Sequence, residues 1–109
     1  MAEGIVNYGG EGFDDLVAQG VTLVDFWATW CNPCMMMGKV LEAQVLPAVA
    51  GKAKIVKVNV DDHQDLAVKF QVQSIPALFI FKDGKIVNEM VGVQRGNDLV
   101  EMIEDALKA

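Results

Sequence analysis

The stretch Val21-Thr22-Leu23-Val24-Asp25-Phe26-Trp27 is a nearly continuous apolar run, rich in β-branched and aromatic residues. A strand built this way has no polar face to offer water, so it must be covered on both sides. Parallel or mixed sheets with helices over each face supply that cover. Asp25 is the one charge inside the run.

The rest of the chain falls into place around this strand. Residues 5–7 read as a short edge strand before Gly9-Gly10. Residues 11–18 read as a helix with Phe13, Leu16 and Val17 inward and Gly20 as its stop. Beyond Cys34, the positions Met37, Val40, Leu41, Val45 and Val49 keep a helical period, with Gly51 closing the segment. Residues 54–60 form the next strand, with Lys57 and Asn59 as polar interruptions. A short helix over residues 63–70 follows, capped near Asp61 or Asp62, with His63 as a surface residue at its start. Residues 77–81, the turn Lys82-Asp83-Gly84-Lys85 and residues 86–91 read as a hairpin. A last amphipathic helix begins at Asn97 or Asp98. The order βαβαβαββα predicts a three-layer α/β fold with a mixed central sheet.

At 109 residues the chain suits one domain, residues 1–109, with one core. Nine basic against fifteen acidic side chains give a net charge of −6. With no Lys/Arg cluster, nucleic acid and anionic membranes are not the expected partners. No apolar run reaches the roughly 18 residues of a membrane span. The start, Met1-Ala2-Glu3-Gly4, has neither a basic region nor an apolar one, so no signal peptide is read there. A reducing cytoplasm is the expected compartment, and a monomer the expected state.

Both cysteines lie in Trp30-Cys31-Asn32-Pro33-Cys34, at the junction of the buried strand and the following helix. Residues i and i+3 of a helix share a face, so two thiols at this spacing can close a small disulfide ring. Pro33 suits the first turn, where its missing N–H would be unpaired anyway. The N–H groups and dipole of a helix N-terminus favour a thiolate at Cys31. Cys31 is therefore the expected nucleophile and the more exposed thiol; Cys34, one turn inside, is the resolving thiol. Half a zinc site is the competing reading. Zinc wants four ligands, and His63 is the one histidine, so no metal is expected. Two inert core cysteines are the other alternative, and the flanking Trp30 and Pro33 at an element junction weigh against it.

A carboxylate inside a buried strand is costly unless paired or protonated, so the pKa of Asp25 should be raised. Six residues before Cys31, it is positioned to take the proton of Cys34 as a general base, through a water. Lys57 interrupts the neighbouring strand and is its natural partner, tuning it. The bland alternative puts Asp25 and Lys57 at strand ends, in solvent. Ile75-Pro76 opens a strand, a position where proline is permitted; spacing leaves the isomer open, with trans the default.

Taken in order, Val24-Asp25-Phe26-Trp27-Ala28-Thr29-Trp30-Cys31-Asn32-Pro33-Cys34, Lys57-Val58-Asn59-Val60-Asp61, Ser74-Ile75-Pro76-Ala77-Leu78-Phe79-Ile80-Phe81-Lys82-Asp83-Gly84 and Gly92 resemble the thioredoxin family. The resemblance runs over residues 5–109. It implies the thioredoxin fold and a protein disulfide reductase without a bound cofactor, working through a redox-active Cys31–Cys34 disulfide. It also implies a cis Pro76 against the dithiol and a substrate groove of Trp30, Ile75, Pro76 and Gly92, with the Ile75 backbone pairing to an extended peptide. The implied partners are disulfide-containing proteins and a thioredoxin reductase that draws on NADPH.

Three positions depart from the family pattern. Asn32 replaces the usual glycine of the dithiol; its amide either stabilises the Cys31 thiolate and raises the potential, or hinders access. Met35 replaces a common basic residue, which lets the cysteine pKa values rise; the Met35-Met36-Met37 run reads mainly as core. Lys39 replaces a helix proline, while Pro47 stands further on, so a straight first half and a break near Pro47 are expected. Two alternatives to the reductase remain: a disulfide oxidase or isomerase of the same fold, and a binding module whose dithiol is incidental.

Overall fold

The computed structural model describes residues 4–109. Met1 to Glu3, on which the N-terminal reading and the start of the 1–109 domain partly rest, lie outside the described residues. The elements run β1 (Ile5–Asn7), α1 (Phe13–Val17), β2 (Val21–Trp27), α2 (Asn32–Val40), a π turn (Leu41–Val45), α3 (Leu46–Val49), β3 (Ala53–Asn59), α4 (Gln64–Lys69), β4 (Ala77–Lys82), β5 (Lys85–Val91) and α5 (Gly96–Lys108).

The five strands form one sheet in the order β1-β3-β2-β4-β5. β2 is central, parallel to β3 and antiparallel to β4. That position explains the apolar run: Val21 to Phe26 are all buried. Alternate residues point to opposite faces. Leu23, Ile55, Leu78 and Ile80 meet Met37, Leu41, Val45, Leu99 and Ile103 of the helical layer made by α2, the π turn, α3 and α5. Val24, Phe26, Val56 and Phe79 meet Phe13, Val17 and Leu66 of the layer made by α1 and α4. Phe13, Phe26, Phe70, Phe79 and Phe81 interlock there, with centroid spacings of 5.4–6.1 Å, the range for edge-to-face and offset rings.

The β4–β5 turn takes positive φ at Asp83 (50°) and Gly84 (84°), the conformation that matches strand twist in a two-residue hairpin. Beyond it, β5 is an exposed edge. It carries Lys85 and Glu89, and its register against β4 slips between Ile80 and Phe81.

Several expectations need correction. The break near Pro47 is a π turn just ahead of it, where the Leu46 N–H donates to the Leu41 carbonyl, five residues back. The wider turn gives room for a ring that would otherwise clash with the preceding turn. Helix α4 is not capped by Asp61 or Asp62: His63 holds the N-cap position without a side-chain cap. Asp61 instead has its backbone N–H on Asn59 Oδ1 at 2.9 Å. His63 is half-buried, its Nε2 3.1 Å from the Tyr8 carbonyl oxygen and its ring edge-on to Tyr8. Helix α5 begins earlier than expected, after Arg95, whose guanidinium is bidentate on Asp98.

Candidate active site

β2 ends at Trp27, and after three intervening residues the chain turns into α2 with Cys31 at the N-cap in an extended conformation. Pro33 is in the first turn. Cys31 and Cys34 are joined as a disulfide with Cα atoms 5.2 Å apart, inside the usual range for such a bridge. Cys31 keeps 6% of its surface exposed and Cys34 none. The Cys34 N–H donates to Cys31 Sγ at 3.2 Å, so one backbone donor of the helix start is aimed at the outer sulfur. Asn32, the departure from the family pattern, is exposed on the first turn, and its amide is not the donor to Cys31.

The Ile75–Pro76 peptide is cis, not the default trans isomer, as the family resemblance implies. The Ile75 carbonyl oxygen lies 3.9 Å from Cys31 Sγ, which has no proton to give while the disulfide is closed. The Pro76 carbonyl accepts the Gly92 N–H at 2.8 Å. Gly92 sits at φ +89°, a region that favours glycine. Ile75, Pro76 and Gly92 thus form one wall beside Cys31. Trp30 stands on the other side of Cys31 in sequence, 68% exposed, with its indole N–H on Asp61 at 2.9 Å.

Asp25 lies in the middle of β2 with no exposed surface, so the solvent-facing alternative is wrong for it. Burial pushes its pKa up to about 7, against a downward pull from Lys57. Lys57 is level with Asp25 on the neighbouring parallel strand. It is not in contact, however: neither carboxyl oxygen of Asp25 has a hydrogen-bond partner, and the ammonium lies over the Trp27 ring, 4.4 Å from its centroid. Lys57 therefore acts on Asp25 through its field.

Three contributors escape a reading of the sequence. Asp61 anchors Trp30. Gln94 braces the Gly92 turn, its side-chain amide on the Val91 and Gly92 carbonyls and its N–H on Met37 Sδ. Trp27 holds the Lys57 ammonium. None carries a local signal, because each partner is remote or separated by a turn. The methionine run divides differently from the expectation: Met37 is core, but Met35 and Met36 are exposed beside the dithiol.

A thioredoxin family model matches residues 4–105. The chain belongs to the thioredoxin family. It is 48% identical over 103 residues to thioredoxin of Staphylococcus saprophyticus, covering 94% of this chain and 98% of that one. It is 46% identical over 103 residues to thioredoxin of Staphylococcus haemolyticus, with the same coverage of both chains. Among solved structures, a single-site mutant of thioredoxin from Halobacterium salinarum superposes with a TM-score of 0.85 at 34% identity, over 96% of this chain and 92% of that one. A chain from work on the thiol resolving mechanism in yeast mitochondrial 1-Cys peroxiredoxin via glutathione/thioredoxin systems gives 0.82 at 28% identity, covering 93% and 94%. The fold is the thioredoxin fold, and the activity is that of a protein-disulfide oxidoreductase, exchanging its dithiol for substrate disulfides. Among the described residues no group of three or more His, Cys, Asp or Glu could hold a metal, and no helix is long and apolar enough to cross a membrane.

Proposed function

We propose that Cys31 is the nucleophile of this disulfide reductase and Cys34 the resolving thiol. The observation that carries this assignment is the Cys34 N–H directed at Cys31 Sγ at 3.2 Å, which favours negative charge on Cys31 rather than on the enclosed Cys34. The Cys31 thiolate attacks a substrate disulfide, forms a mixed disulfide and expels one substrate thiolate. Cys34 then passes its proton through a water to Asp25 and attacks Cys31 Sγ, releasing the second substrate thiolate. Two electrons move to the substrate, and the Cys31–Cys34 disulfide remains. Asp25 suits the base role because a pKa of about 7 lets it both accept and return a proton near neutral pH. Lys57 tunes Asp25, and Asn32 and Pro33 tune the dithiol.

Substrate lies along Trp30, Ile75, Pro76 and Gly92, with an extended segment pairing to the Ile75 backbone. The partners are disulfide-containing proteins and a thioredoxin reductase; a peroxiredoxin, as in the yeast system named above, is one such protein. The chain works as a single-domain, cytoplasmic monomer with no bound cofactor. The test is covalent trapping. Cys34→Ser should accumulate a mixed disulfide with substrate protein, and Cys31→Ser should not; equal trapping by both overturns the assignment.

A further inference from the structure

Lysine side chains at half-buried positions normally extend their charge to water. Lys57 is half-buried, yet its ammonium lies over the Trp27 ring, with Nζ 4.4 Å from the centroid. Against the same ammonium comes α2, at its buried residue Gly38. A Cβ at Gly38 would stand 3.2 Å from Lys57 Nζ, closer than a methyl group and an ammonium comfortably approach. The ring offers a partly desolvated cation a favourable face, and the missing side chain leaves it room.

We propose that Trp27 and Gly38 are positioning residues of the reaction, forming together the seat that holds the Lys57 ammonium beside Asp25. The ring keeps the charge from escaping to solvent. The glycine keeps α2 from pushing it out. This rests on the reading of Asp25 as the base for Cys34, because the seat matters to catalysis through that carboxyl.

Among the described residues no other charge does this work. On β3, Lys54 is engaged by the Leu16 carbonyl. On β4, Lys82 is level with Val21, at the far end of β2 from Asp25. On α2, Lys39 is exposed, and Cys31 and Cys34 are closed in the disulfide. Glu42 of the π turn and Glu101, Asp105 and Lys108 of α5 are exposed, Asp98 is on Arg95, and Glu104 is half-buried. Burial and Lys57 are the two influences that set Asp25.

The test follows the Asp25 carboxyl carbon by NMR across pH in the disulfide form, where no thiol titrates. Gly38→Ala favours helix formation and keeps the fold. It should raise the Asp25 midpoint by a few tenths of a unit, because the ammonium must give way by only a few tenths of an ångström. Trp27→Leu should raise it likewise, and Trp27→Phe should restore most of the parent value. In a Lys57→Met background, itself raised, Gly38→Ala should add nothing. An unmoved midpoint in Gly38→Ala and Trp27→Leu overturns the proposal, as does an equal Gly38→Ala shift without Lys57. Failure of the base assignment is read separately, as an unchanged resolving rate in Asp25→Asn.

Discussion

The indole N–H of Trp30 is hydrogen-bonded to the Asp61 carboxylate at 2.9 Å, across 31 positions of sequence. The ring is 68% exposed, so little packing fixes it; the bond does. A ring tied in this way keeps one orientation on the surface next to the dithiol in sequence.

Loss of that bond should act on substrate capture. A hydrogen bond to a charged group at an exposed site is worth about 1 kcal/mol, so Asp61→Ala should raise KM for insulin reduction by about 2- to 5-fold and leave kcat nearly unchanged. Stability should fall by no more than about 1 kcal/mol, the worth of the bond itself. Steady-state kinetics and urea unfolding read the two effects; a fall in kcat at constant KM would assign Asp61 a different role.

Asp25 should make the fold less stable at high pH. Its folded-state pKa is about 7, above the ordinary 3.8. The folded protein therefore holds a proton that the unfolded chain has released, and the stability present below about pH 4 is lost as pH rises through about 7. Asp25→Asn should be more stable than the parent at about pH 8, by up to about 4 kcal/mol for the shift from 3.8 to about 7. The advantage should shrink toward zero near pH 4. Urea unfolding of the disulfide form at the two pH values measures it, and a gain independent of pH would point to packing instead.

Met35 stands exposed directly after Cys34. A cation there would favour the thiolate through a solvent-exposed interaction. Met35→Lys should lower the pH at which Cys31 becomes reactive toward iodoacetamide by a few tenths of a unit, and added salt should erase the difference. A salt-independent change would mean that the thioether acts by contact.

Pro47 should be the cause of the π turn. In Pro47→Ala the Leu46 N–H is expected to return to the carbonyl of Glu42, four residues back, instead of Leu41. A crystal structure of the variant checks this; persistence of the five-residue bond would trace the turn to packing of Leu41 and Val45.

The sheet is legible in the sequence because β2 is apolar on both faces, and only a central strand needs that. The dithiol and Asp25 are legible for the same reason, since each interrupts a pattern. The π turn is not: Leu41, Val45 and Val49 are all fully buried, and a spacing of four fits either helix type. Pro47 announces a break without announcing its form. Asp61 resembles a helix cap because caps are read locally, whereas the partner of its carboxylate, Trp30, is set by the fold. Met35 and Met36 carry no mark separating them from Met37; the rotation of α2 against the sheet decides which of the three is covered.

The charged, offset edge of β5 has a bearing on how the protein handles its clients. Proteins arriving with non-native or exposed disulfides also bring unpaired backbone and sticky segments, and a straight bare edge would template their stacking. Lys85, Glu89 and the slipped register against β4 break up an edge that otherwise exposes Ile86, Val87 and Val91. An extended segment lying along β5 therefore meets two charges and an interrupted ladder where a flat edge would let it stack.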